Sequence, residues 1–169
     1  GDIFRSRYQV KPLGTHLKMK LDRLSYGSDS DTGEIVRLNH GHLTPVEQLY
    51  ARAYPGNYFT PRLLETGRYV GIQQEGRLMA VAGVHVVSDE YKIAVLGNIA
   101  TDPEVRGRHL AQRLTHHLTA ELSREGKLVC LNVKADNRSA IRCYERVGFV
   151  VTHEYEEALF DLEGAISPG

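Results

Sequence analysis

The residues best suited to chemistry form one run: Asn98-Ile99-Ala100-Thr101-Asp102-Pro103-Glu104-Val105-Arg106-Gly107-Arg108-His109-Leu110-Ala111. An apolar strand pattern stops at Asp102-Pro103, and a basic turn then leads into leucines at helical spacing. The first turn of a helix leaves its N–H groups without intrahelical acceptors, and the summed peptide dipoles make that end positive. Such a turn receives an anion, and a diphosphate is a natural occupant. Gly107 lets the backbone approach a bulky anion, while Arg106 and Arg108 add charge-assisted hydrogen bonds. Strand-turn-helix junctions with arginine are common, so this run alone also fits an ordinary structural turn.

A second run narrows the choice. Leu128 to Val133 reads as a buried strand, and Asn137, Ala140, Tyr144, Gly148 and Phe149 follow it through a short helix to the next strand. The two runs, in this order, resemble the GNAT superfamily of acetyl-CoA-dependent N-acyltransferases. The diphosphate turn of that family reads Arg/Gln-x-x-Gly-x-Gly/Ala, and here it is Arg106-Gly107-Arg108-His109-Leu110-Ala111. His109 stands where the family prefers glycine. A first-turn helical position needs no positive φ, so the histidine is expected to be tolerated there. The resemblance covers about residues 35 to 160.

The resemblance implies a fold and a reaction. The fold is a mixed, mostly antiparallel central sheet, with helices on both faces and strands that splay apart at the acyl-CoA site. The reaction is transfer of an acetyl group from acetyl-CoA to a primary amine by direct attack in a ternary complex. Pantetheine would lie along Ile99, Ala100 and Thr101 like an added strand. The diphosphate would lie on Arg106 to Ala111, with Leu110 among them, and Asn137 and Ala140 would complete the cofactor wall. Tyr144 matches the family's general acid. Read without the resemblance, Tyr144 is an aromatic on the apolar face of a short helix and Asn137 a helix-start residue. No motif marks the base; His85 on a central strand and Glu65 beside the acceptor loop are the candidates, with an ordered water or a purely structural His85 as alternatives. Tyr58, Phe59 and Tyr69 supply aromatic walls for an acceptor pocket, or else simply pack a helix-loop cover. The competing function is a non-catalytic acyl-CoA-binding sensor. The resemblance also suggests a homodimer paired through the late strands.

The elements that must position these residues are legible from periodicity. Tyr8-Gln9-Val10 and His16 to Leu21 alternate like two strands of a hairpin around Lys11-Pro12-Leu13-Gly14. A loop-forming stretch, Ser25 to Gly33, separates them from the rest, which sets an N-terminal hairpin and linker at 1–33 and an acetyltransferase-like domain at 34–163. Thr44-Pro45-Val46-Glu47 carries a capping threonine, a first-turn proline and a following glutamate, predicting a helix from Thr44 to about Tyr54. Strands are predicted over Tyr69 to Gln73, Arg77 to Val87 and Lys92 to Thr101. A long helix is expected between Gly107 and Gly126, and a last helix over Arg138 to Arg146. Gly148 suits a left-handed cap.

Composition excludes several function classes. The 169 residues carry 21 Lys+Arg and 21 Asp+Glu, so no bulk charge favours nucleic acid or an anionic membrane. No apolar run is long enough to span a bilayer, and the first residues lack a signal-peptide layout, which points to the cytoplasm. His40-Gly41-His42 and His116-His117 lack companion ligands at metal-binding spacing, so no metal is expected. Cys130 and Cys143 are read as reduced packing residues.

Overall fold

Proline at position 12 and glycine at 14 bend the first strand without ending it. In the computed structural model, which describes residues 8–25 and 34–162, Tyr8–Leu21 is one long strand, β1. The expected hairpin is corrected: Gly14 adopts φ +88 inside a register shift, not in a reversing turn. Apart from Ser25, the predicted linker lies outside the described residues.

The remaining elements follow the periodicity closely. They are β2 (Ile35–Leu38), α1 (Leu43–Ala53), α2 (Arg62–Glu65), β3 (Tyr69–Gln74), β4 (Arg77–Ser88) and β5 (Ile93–Thr101). Then come α3 (Leu110–Arg124), β6 (Leu128–Lys134), α4 (Arg138–Val147) and β7 (Phe149–Leu162). The expected cap on Thr44 is replaced by one further upstream. Asn39 accepts from the Gly41 N–H in a single 3₁₀ turn, His40–His42, that runs directly into α1, so Pro45 sits inside the first α-helical turn. Gly148 ends α4 at φ +112, as the sequence predicts.

The seven strands form one sheet in the order β2-β3-β4-β5-β6-β1-β7. All neighbours are antiparallel except β5 and β6. The N-terminal strand is thus interior, wedged between β6 and β7, and is not an addition at the sheet edge. Val70, Ile72, Ala82, Leu96, Leu131 and Met19 bury one face beneath Leu110, Leu114, Leu118 and Leu122 of α3 and Ile141 and Val147 of α4. Leu38, Tyr69, Leu78 and Val81 bury the other face beneath Val46, Leu49 and Tyr50 of α1 and Leu64 of α2. Apolar burial on both faces explains the continuous apolar run of β4.

Two features of this sheet create a site. Parallel pairing of β5 with β6 covers only Ile93–Leu96 against Leu128–Leu131. Beyond that point Gly97 to Thr101 and Asn132 to Lys134 no longer pair, while β6 stays bonded to β1 along its other edge from Cys130 to Lys134. A bulge lies at the same level, where Val81 pairs with Ala100 but Gly83 pairs with Gly97. Asn98 in this bulge has φ +53, and the alternation of faces changes there: Leu96 faces α3, whereas Ala100 faces α1.

Candidate active site

The divergence of β5 from β6 leaves Ile99 and Thr101 flanking an open backbone edge. Asn98 fixes the bulge above it: its side-chain amide donates to Tyr69 Oη at 2.9 Å, and its carbonyl accepts from Tyr50 Oη at 2.7 Å. Burial raises the Tyr69 hydroxyl to about 12 despite this hydrogen bond, and it raises Tyr50 further. Phe59 packs on both rings, at 5.2 Å from Tyr50 and 5.8 Å from Tyr69. Tyr69 and Phe59 are therefore built into the cover over the bulge, while Tyr58 is exposed.

The basic turn after β5 is anchored by Asp102. This buried carboxylate caps the short turn Pro103–Val105 by accepting from the Glu104 N–H. It also receives Arg52 of α1 at 3.0 and 3.2 Å and Arg77 of β4 at 2.8 Å. Burial pushes its pKa upward, but the Glu104 N–H and the two guanidinium groups outweigh that and hold it below the usual carboxylate value. The backbone then passes through Gly107 at φ +83 and His109 at φ +59. His109 is the N-cap of α3 and is left-handed, so the expectation that this position needs no positive φ is corrected. The family's glycine preference reflects that conformation, which disfavours a side chain with a Cβ. Among the described residues, the N–H groups of Gly107, Arg108, His109, Leu110 and Ala111 have no acceptor. Two left-handed residues among successive N–H donors at a helix start make a concave anion receptor. Arg106 and Arg108 are exposed on its rim; Arg108 reaches Gln74 Oε1 at 3.2 Å, and Arg106 reaches the Ala53 carbonyl at 3.5 Å.

Across the gap, α4 presents Tyr144. Its ring is buried and meets Phe149 edge-on at 6.4 Å. Its hydroxyl makes no hydrogen bond among the described residues, and burial, aided by Cys143 and Tyr54, raises its pKa strongly. The influence of Tyr54 matters because Tyr54 ends α1, on the opposite side of the sheet. Asn137 caps α4 by accepting from the Ala140 N–H at 3.1 Å, which is its helix-start role, and Ala140 packs on the core behind.

The two candidate bases are placed apart from this pair. His85 sits on a β4 bulge with its ring against Gly97, where a Cβ would meet the ring at 2.5 Å. Its Nε2 is enclosed and, among the described residues, without a partner. Glu65 is exposed at the end of α2. Sequence reasoning missed Asp102, Tyr50 and Asn98 as the parts that hold the turn and the bulge. It also missed a pair on β1 and β7: His16 Nε2 lies 3.0 Å from Glu157 Oε2. The Asp-Pro before the turn was a signal for Asp102, but nothing local marked the other four.

The other reactive side chains lie elsewhere. Burial raises the Cys143 thiol to about 11 and raises Cys130. His42 closes the cap on Asn39, His116 bonds the Ser25 carbonyl at 2.9 Å, and His117 pairs with Glu121. A groove of about 530 Å³ beside Arg37, Arg68 and Arg124 opens at the far end of α3. It is a helix length away from the turn, about 22 Å, and Arg37 and Arg68 are already paired with Glu121 and Glu125.

Comparison with known proteins agrees with this geometry. Residues 35–149 match the model of the Acetyltransferase (GNAT) family. The [ribosomal protein bS18]-alanine N-acetyltransferase of Escherichia coli K12 is 38% identical over 102 residues, 59% of this chain and 67% of that protein. The mycothiol acetyltransferase of Mycolicibacterium gilvum is 28% identical over 146 residues, and the match spans 76% of this chain but 45% of that protein. A crystal structure assigned to the GNAT family from Novosphingobium aromaticivorans superposes with a TM-score of 0.77 at 29% identity, over 90% of this chain and 67% of that one. The E. coli ribosomal-protein-S18-alanine N-acetyltransferase structure gives a TM-score of 0.57 at 28% identity, over 68% of this chain and 76% of that one. The diphosphate-type turn, the parted parallel strands and these matches lead to one conclusion: this chain belongs to the GNAT family of acetyltransferases.

Proposed function

We propose that this protein transfers the acetyl group of acetyl-CoA directly to a primary amine, and that the amine is the free N-terminus of a peptide or protein. The observation that carries the reading is the parting of β5 from β6. It leaves the backbone edge of Ile99 to Thr101 without a partner on that side, beside a turn of unpaired N–H groups and the helix that carries the buried Tyr144. The Escherichia coli relative is named for acetylating an alanine of a ribosomal protein, which supports the choice of acceptor.

The residues present fit the co-substrate. The N–H groups from Gly107 to Ala111, with Arg106 and Arg108, would hold its diphosphate, and the open edge at Ile99–Thr101 would pair with pantetheine. Acetyl-CoA supplies an activated acyl carbon and a thiolate leaving group. Tyr144 stays protonated at neutral pH because burial opposes its ionisation, and its hydroxyl is free to donate a proton to that thiolate. The incoming ammonium must first lose a proton; His85, Glu65 or an ordered water would accept it. Asn137 and Ala140 would shape the cofactor wall beside Tyr144.

The test is CoA release from acetyl-CoA, followed with a peptide bearing N-terminal alanine and with the same peptide N-acetylated. Release with the first and background with the second is expected. Acetyl-CoA binding without release in the presence of any amine would overturn the proposal and leave a sensor domain.

A further inference from the structure

The pair on β1 and β7 lies outside residues 35–149, but His16 stands opposite Lys134, on the part of β6 that has left β5. His16 is buried, and both ring nitrogens face acceptors: Nδ1 lies 3.0 Å from the Gly14 carbonyl, and Nε2 lies 3.0 Å from Glu157 Oε2. The bulge at Gly14 provides that carbonyl, because the glycine's left-handed turn swings the backbone back towards the ring two residues on. Tyr155, opposite His16 in the ladder, lies over its ring at 5.8 Å and 31°. Glu157 is consequently aimed by a fixed histidine, with one oxygen engaged and its side chain 37% exposed. The adjacent Glu156 is occupied by Thr15 at 2.6 Å.

The surroundings of Glu157 are aromatic. Its charge opposes ionisation of both Tyr54 and Tyr155, and Tyr58 acts on Tyr54 in the same sense. Geometry fixes Glu157 and Tyr155 around His16, which stands opposite Lys134 on the part of β6 that has left β5; the electrostatic influence of Glu157 on Tyr54 fits that placement. Tyr54 and Tyr58 are exposed by 41% and 58%. Tyrosine faces attract a cation, and a carboxylate among them supplies the counter-charge and a hydrogen-bond acceptor. An anion would be repelled there.

We infer that Glu157, positioned by His16 and Tyr155 at the end of β6 that has parted from β5, binds the ammonium of the acceptor before transfer. This rests on the amine-acceptor reading and adds a binding site to it. The site selects a primary ammonium over an N-blocked or hydroxyl-terminated analogue. Glu157 is thereby an acceptor-binding residue, and His16 is a positioning residue that acts through it. The proton leaves the ammonium in a later step, so the pair governs capture more than chemistry.

Steady-state kinetics with the alanine-terminated peptide tests this, with acetyl-CoA titrated into every variant as a control for an intact fold. Glu157→Gln is expected to raise the peptide KM about tenfold, roughly the 1.4 kcal/mol that one decade represents. It should leave kcat within twofold and acetyl-CoA affinity unchanged. His16→Gln should raise the same KM by a smaller factor, and Glu157→Asp should recover part of the loss. Calorimetry in the presence of CoA should show the free-amine peptide binding and its N-acetylated form failing to bind. A Glu157→Gln enzyme with unchanged peptide KM would overturn the inference while leaving the acetyl-transfer reading intact. A wild-type protein that acetylates no amine would overturn both.

Discussion

The cofactor half and the acceptor half proposed for the site are built from different kinds of sequence. The cofactor half occupies contiguous runs, Asn98 to Ala111 and Asn137 to Phe149, in which a strand, a turn and a helix start follow one another along the chain. The acceptor half gathers Tyr54, Tyr58, His16, Tyr155 and Glu157 from a loop and from the two strands at opposite ends of the chain. A diphosphate receptor needs local backbone geometry, and local sequence can specify that. An acceptor pocket needs only that side chains converge, and convergence is a property of sheet order.

That contrast predicts separable defects. Tyr144→Phe stands at the junction of the halves and should produce the largest effect. We expect a fall in kcat of about 100-fold, the lower end for a lost general acid, with both substrate affinities retained because the buried ring stays in place. A comparable loss of acetyl-CoA binding in this variant would dissolve the distinction. Arg106→Ala combined with Arg108→Ala should weaken acetyl-CoA about tenfold, as expected for charge-assisted contacts on an exposed rim, and leave the peptide KM alone; calorimetry and kinetics read the two separately.

Asp102→Asn tests the frame behind the turn. Loss of its ionic hydrogen bonds to Arg52 and Arg77 should cost about 1.5 kcal/mol of stability at pH 7, measured by urea unfolding. The folded-state pKa of Asp102 lies below its unfolded value, so its contribution is present above the unfolded pKa and fades as pH falls through the folded one. The difference between wild type and variant should accordingly shrink in acid. The smallest change is expected from His109→Gly. Relieving a left-handed non-glycine residue should add about 1 kcal/mol of stability and leave acetyl-CoA binding equal or tighter.

Much of the fold was legible because its signals are short-range. The apolar face of α3, the double-sided burial of β4 and the left-handed Gly148 each follow from neighbouring residues. The turn motif was legible too, and its one departure, His109, proved to sit in the conformation that a glycine would favour. β1 was misread because Pro12 and Gly14 are turn formers in isolation, whereas two flanking strands hold the segment extended around a bulge. Its insertion between β6 and β7 depends on pairings 110 or more residues apart in sequence, and no local pattern encodes them. His16 and Glu157 were missed for the same reason: each is unremarkable until the sheet places them 3.0 Å apart. The α1 cap was misplaced because Asn39 and His42 form a reciprocal pair that precedes the better-known Thr-Pro signal.

The central claim is that the turn at Arg106 to Ala111 receives acetyl-CoA while Tyr144 serves the transfer. Calorimetric titration of acetyl-CoA into the wild-type protein, Tyr144→Phe and the double Arg106→Ala, Arg108→Ala variant tests it most directly. The account predicts micromolar binding that persists in Tyr144→Phe and weakens in the double variant. Absence of binding by the wild-type protein, or binding indifferent to the two arginines, would contradict it.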